Sequence, residues 1–268
     1  MKNNCLGIIQ VRMSSSRLPG KVLKPLAGEP MLFHIYTRLL QCKHIDKVIV
    51  ATSNDRSDDE IENFCIQKNF NLYRGSLNNV LSRYINLINQ YDCKYYVRVT
   101  GDCPFIYPQF IDAQIQILKK HNADVLWFKN ESSLLEGQGV FSSKSLKFIS
   151  KLSNDDEDKE HVGSIYLANN PHCFKIVEMR LPSQLLNNDF RLTVDEEEDY
   201  EFAKHLYDHY KNKLPINFVD LISYLKGHKY LGNINGEIKH RSLNVDLFEK
   251  RKKWVHAKKI GCEKFKLY

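Results

Sequence analysis

At 268 residues the chain can bury one substantial core, so a large domain with a smaller appendage is the expected plan. No apolar run approaches the ~20 residues that cross a bilayer and the polar opening MKNNC has no signal-peptide character, so no membrane span is expected and a cytoplasmic location is. A net charge of +7, from 39 Lys and Arg against 32 Asp and Glu, suits an anionic small molecule but is too modest and dispersed to imply nucleic acid.

In chain order, Ile8, Ile9 and Val11 make a β-type run that empties into a loop carrying Arg12, three serines, Arg17, Gly20 and Lys21. A buried strand ending in a basic, hydroxyl-rich turn gathers backbone N–H groups and cations where an α/β protein binds phosphate. The spacing matches neither the Walker pattern nor GxGxxG. Over residues 30–42, Leu32, Ile35, Tyr36, Leu39 and Leu40 recur at helical spacing, with Pro30 suited to the opening turn. KVIVAT (47–52) predicts a fully buried strand, and Ser57 with Glu60 resembles a capping box for a helix carrying Ile61, Phe64 and Cys65. A strand at 71–75, a helix through Leu77, Leu81, Tyr84 and Leu87, a strand at 94–100, a helix at 109–121 and a strand at 123–128 follow. This alternation predicts a doubly wound, mostly parallel α/β sheet with its ligand beyond the carboxyl ends of the strands. Further on, helices are expected at 143–151 and 158–169, strands at 173–179 and 190–194, and a helix from the acidic run after 194. The pattern weakens from about residue 213, which divides the chain into a domain of residues 1–228 and a C-terminal extension, 229–268, with a short helix near 245–258.

Three segments carry groups suited to phosphate chemistry. Arg12, Arg17 and Lys21 can neutralise a triphosphate, the arginines through bidentate forks, although an exposed basic turn is the alternative. Asp102, after a strand and between Gly101 and Cys103–Pro104, can hold Mg²⁺ against a phosphate or cap a helix. Asp195 follows a second strand-like run with the same two readings, and Glu196, Glu197 and Glu198 are expected to be solvated and to complement a helix dipole. Strand ends cluster at one sheet edge, so two aspartates remote in sequence can meet on one ion. Glu160 and His161 are adjacent on an expected helix and do not face each other, although each can line a pocket. The seven scattered cysteines lack a CxxC pair and are expected as free thiols. The KRKK run at 250–253 reads as a solvated helix face or, alternatively, a polyanion patch.

Together these segments resemble the cytidylyltransferases that activate sugar acids as CMP conjugates, and within them the spore coat polysaccharide biosynthesis protein F branch. The resemblance rests on IIQVRMSSSRLPGKVLKPLAGEPML, YRGSLNNVLSRY, VRVTGDCP, EHV and FRLTVDEEED, and spans roughly residues 5–212. It implies a nucleotide-diphospho-sugar transferase fold of Rossmann-like form, CTP as donor, Mg²⁺ as cofactor, an anionic sugar-acid acceptor for surface polysaccharide and a homodimer. By position it implies that Arg12, Ser15, Arg17 and Lys21 cradle the triphosphate, Arg12, Arg17 and Lys21 acting catalytically. Asp102 and Asp195 would bind the metal, Arg74 and Ser76 the nucleotide together with Asp102, and Glu160 and His161 the acceptor. Asn79, Tyr107 and a shortened EGQGVFS depart from the family pattern and are expected on the acceptor side. A glycosyltransferase of similar fold using DDE (58–60), and a non-catalytic nucleotide- or polyanion-binding protein, stand as alternatives.

Overall fold

A computed structural model describes residues 4–128, 132–186, 190–236 and 253–267. The first strand, β1 (Cys5–Gln10), lies inside the sheet, and its residues alternate between two apolar layers. Cys5 and Ile9 face α1 (Met31–Leu39), whereas Leu6 and Ile8 face the opposite layer. Gly7 is required between them: a Cβ there would lie 3.0 Å from Leu39 Cδ2. A short ribbon, β2 (Pro25–Leu26) with β3 (Glu29–Pro30), leads into α1. That helix buries Leu32, Ile35, Tyr36 and Leu39 as its spacing predicts. Leu40 was expected with them but is 57% exposed, because it is the C-cap residue and turns outward.

Next come β4 (Lys47–Ser53), α2 (Asp59–Gln67), β5 (Leu72–Gly75), α3 (Val80–Gln90), β6 (Tyr95–Thr100), α4 (Pro108–His121) and β7 (Val125–Phe128). The expected capping box of α2 does not form. Asp55 instead accepts from Ser57 N–H and fixes a single 3-10 turn, Arg56–Asp58, ahead of the helix.

The run EGQGVFS, which the sequence assigns to no element, contains a strand, β8 (Gln138–Ser142), antiparallel to β6 and β7. Gly139 within it and the glycine ahead of it masked it in the sequence. Gly137, just before it, adopts φ +68°, and a Cβ there would strike Cys103 Sγ at 2.1 Å.

The helix expected over 158–169 is two helices, α6 (Asp156–Glu160) and α7 (Ser164–Asn169), after α5 (Ser143–Leu152). Gly163, at φ 72°, breaks the run, and buried Asp158 accepts the Ile165 and Tyr166 N–H groups of α7. Then follow β9 (Ile176–Arg180), α8 (Glu197–His209), α9 (Phe218–Gly227) and β10 (Lys259–Lys264).

Residues 190–194 pair with no strand, contrary to the strand expected there. The segment is buried, and its backbone is tied instead by side chains and by one main-chain bond, Val194 N–H to the Asp102 carbonyl at 2.8 Å.

The sheet runs β5-β4-β1-β6-β8-β7-β9-β10, with β8 the antiparallel member. One layer packs α1, α2, α4, α8 and α9; the other packs α3 and α5 near β1, with Trp254 beside β7 and β9. The carboxyl ends of β1, β4, β5 and β6 therefore lie along one edge. In the tail, β10 pairs in parallel with β9 as the sheet's outermost strand. Of the helix expected near 245–258, residues 253–256 form one 3-10 turn, and 245–252 lie outside the described residues with all but Lys253 of the KRKK run. Among the described residues, no helix is long and apolar enough to cross a membrane.

Candidate active site

The loop after β1 is pinned by a residue the sequence reading missed. Asp58, fully buried, accepts from the Met13 N–H at 2.7 Å, the Thr52 hydroxyl at 2.8 Å and the Ser53 N–H at 3.0 Å. Gly20, at φ 69°, returns its N–H to the Met13 carbonyl at 2.9 Å, and Ser15 Oγ accepts from the Leu18 N–H at 3.3 Å. The loop is thus closed on itself and anchored to β4 before any ligand arrives. Asp58 belongs to DDE, weighed earlier only as a metal motif; its burial and four donors make it an anchor.

At the base of the loop, Lys21 joins the two expected metal carboxylates. Its Nζ lies 2.9 Å from Asp195 Oδ1 and 3.6 Å from Asp102 Oδ2, and donates to the Val194 carbonyl at 2.7 Å. Arg17 contributes a second cation, 2.9 Å from Asp195 and 3.0 Å from Glu196. Arg191, not anticipated from sequence, contributes a third at 2.5 Å from Asp195. Burial alone would raise the Asp195 carboxyl, but Lys21, Arg17 and Arg191 outweigh it and hold the group below its ordinary range. Asp102 is oriented by the Thr100 hydroxyl, which donates to it at 2.6 Å.

Behind this pair stands fully buried Asp199, which accepts from the Asp195 and Glu196 N–H groups at 2.9 and 3.1 Å. Asn235 closes the network, donating to Asp199 at 2.9 Å and to the Arg191 carbonyl at 3.1 Å. Glu197 and Glu198 are exposed in the first turn of α8, as expected, with Glu197 2.7 Å from Lys24, whereas Glu196 is half-buried, pairs with Arg17 and forms the α8 capping box with Asp199.

The remaining expected site residues divide. Arg12 lies 3.1 Å from Glu160, so the loop after β1 touches the turn that carries Glu160 and His161, the latter capping α6. Arg74 directs its guanidinium onto α2 and the turn before it, bonding the Ser53 and Asp55 carbonyls and the Asp59 and Glu62 carboxylates. Exposed Ser76 accepts from the Asn79 N–H at 3.2 Å. Of the three departures expected on the acceptor side, Tyr107 is a core residue stacked on Phe218 at 4.5 Å, and Asn79 caps α3.

Chemically, the two carboxylates converge on one cation, the Lys21 ammonium, so they can share one ion. Among the described residues no group of three or more His, Cys, Asp or Glu is placed to hold a metal. Two carboxylates completed by phosphate oxygens are what Mg²⁺ ordinarily takes, so this donor set fits that ion. Beside Thr100 a cavity of about 230 Å³ opens between β6, β7 and β8.

A mostly parallel sheet whose strand ends gather a cationic loop and two carboxylates defines a nucleotidyltransferase of the nucleotide-diphospho-sugar transferase fold. The chain belongs to the cytidylyltransferase family, whose pattern matches residues 6–251, and it is a CTP-dependent nucleotidyltransferase. It is 34% identical over 228 residues to spore coat polysaccharide biosynthesis protein SpsF of Bacillus subtilis, covering 83% of this chain and 94% of that protein. It is 27% identical to 8-amino-3,8-dideoxy-manno-octulosonate cytidylyltransferase of Shewanella frigidimarina, over 68% of each chain. A solved cytidylyltransferase from Leptospira borgpetersenii superposes with a TM-score of 0.77 at 26% identity, covering 88% of this chain and 99% of the other.

Proposed function

We propose that this enzyme transfers CMP from CTP to a sugar acid or related anionic acceptor for surface polysaccharide synthesis, with Mg²⁺ as cofactor. An acceptor oxygen bonds to the α-phosphorus of CTP as the bond to the bridging oxygen breaks, and pyrophosphate leaves. Little covalent catalysis is needed, so the protein's contribution is positioning and charge stabilisation. Arg12, Arg17 and Lys21 neutralise the triphosphate, and Ser15 shapes the loop that presents it. Asp102 and Asp195 would hold the metal. When bound, the ion supplies Lewis-acid stabilisation of phosphate charge. Glu160 and His161 approach the acceptor from the turn that Arg12 touches.

The observation that carries the reading is the convergence of Asp102 and Asp195, remote in sequence, on Lys21 beside the anchored loop. The glycosyltransferase alternative needed a metal motif in DDE, but Asp58 is buried and committed to the loop. The test is pyrophosphate release with each of the four nucleoside triphosphates against a panel of sugar acids and phosphorylated sugars. Release with CTP and a sugar acid, abolished by EDTA, is expected. Consumption of intact nucleotide sugars without any response to CTP would overturn the proposal.

A further inference from the structure

The cavity beside Thr100 sets the polar groups of Arg98, Ser132 and Glu136 among apolar and aromatic side chains. On β6, Tyr96, Arg98 and Thr100 point to the same side of the sheet. Tyr96 is buried among apolar residues, but Arg98, two positions on, opens into the cavity. Its guanidinium makes hydrogen bonds to neutral groups, 3.1 Å to Ser164 Oγ and 3.4 Å to Gln10 Oε1. Among the described residues no carboxylate forms an ion pair with it. A partly buried guanidinium with neutral partners is set to receive an anion, in bidentate fashion where that anion is a carboxylate. A second polar group faces the same space: Ser132, 9% exposed, lines the cavity, and among the described residues its hydroxyl has no hydrogen-bond partner.

The cavity also adjoins both halves of the reaction site. Ser164, the partner of Arg98, donates to the His161 carbonyl at 2.7 Å, while Thr100 at the other end donates to Asp102. Arg98 and Thr100 lie two residues apart on one strand, a rise of roughly 6.6 Å, so one sugar-sized molecule reaches both. Trp127 and Trp254 supply apolar walls against which the C–H face of a sugar ring can lie. The volume of about 230 Å³ falls below the range of drug-sized pockets, roughly 300–1,000 Å³, and so suits one monosaccharide and not a chain end.

We propose that this cavity is the acceptor subsite and that Arg98 selects the acceptor by binding the carboxylate of a monosaccharide acid, with Ser132 bonding one of its oxygens. This rests on the cytidylyl-transfer reading for its biological meaning, but binding can be tested without CTP. Trp127 and Trp254 are the chain's two tryptophans, and both line the cavity, so intrinsic fluorescence reports its occupancy. The protein is titrated with 3-deoxy-manno-octulosonate, its 8-amino analogue and the methyl ester of each, with no nucleotide present. The acids are expected to change the emission and to bind at least about tenfold more tightly than the esters, the scale of a charge-assisted contact. Arg98→Gln should bring the acids to the level of the esters, and Arg98→Lys, which keeps the charge and loses the fork, should fall between. Equal binding of acid and ester, undiminished acid binding by Arg98→Gln, or no response to about 10 mM of any acid would overturn the assignment. Should the titration discriminate acid from ester while CTP releases no pyrophosphate with these acids, the transfer reading fails and the anion subsite stands.

Discussion

Asp195 is the most heavily committed side chain at the site, with Lys21, Arg17 and Arg191 around it and Asp199 holding its backbone. Its carboxyl is held below the ordinary value of 3.8 in the folded protein, despite burial that pushes the other way, because three cations favour the ionised form. The sign follows from linkage. A lowered folded value means stability that is fully present above about 3.8 and is lost as the pH falls through the lower, folded-state value. Urea unfolding of wild type and Asp195→Asn should therefore show a stability gap that is constant above pH 5 or so and narrows below about pH 4. A gap that widens with acid would contradict this charge arrangement. At Asp102 the consequence is catalytic. Asp102→Asn keeps the shape and the Thr100 contact but removes the charge, and should cut pyrophosphate release by on the order of 10²-fold or more. Turnover near the wild-type level would discard Asp102 as a metal and transition-state ligand.

Among the elements, the loop after β1 depends on one buried acid in the turn before α2. Asp58→Ala would leave the Met13 N–H, the Ser53 N–H and the Thr52 hydroxyl without their acceptor, at a cost of about 2–4 kcal/mol in urea unfolding. Because the same loop carries Arg12, Arg17 and Lys21, KM for CTP should rise while fluorescence binding of a sugar acid stays unchanged. A parallel loss of both would place the two subsites on one mechanical unit. The strands and helices through residue 128 were legible because each keeps one period: KVIVAT is uniformly apolar, and α1 and α3 show helical spacing. What escaped was set by tertiary contacts. β8 carries Gln138 and Gly139 where an isolated strand would show β-branched residues, and its formation depends on pairing with β6. Residues 190–194 look like a strand because they are apolar and buried, yet their backbone bonds go to Asp102, Lys21, Ser133 and Asn235. The expected loop cations and both aspartates came from local motifs, whereas Arg191, Asp199 and Asn235 become site residues only through the fold.

Over the whole molecule, the C-terminal extension is where sequence pattern said least and tertiary contact says most. Its residues are polar, glycine-containing and basic, with no sustained period, so nothing local reveals where they pack. Yet Asn235 reaches the Asp199–Arg191 network behind the carboxylate pair, Trp254 is 2% exposed with its indole N–H donating to the Ala168 carbonyl at 3.0 Å, and β10 covers the edge of β9. The extension thereby links the sheet's far edge to both the carboxylate pair and the cavity. Trp254→Ala should test that linkage, since it removes a buried aromatic packed against Trp127, Leu167 and Ile176 and opens one cavity wall. The packing loss should be about 3–5 kcal/mol, read by urea unfolding. If the cavity is the acceptor's, KM for the sugar acid should rise several-fold at a temperature where the variant remains folded, while KM for CTP holds, because the triphosphate loop is anchored independently through Asp58. An equal rise in both constants would mean that the extension supports the domain as a whole, and that Trp254 shapes no subsite of its own.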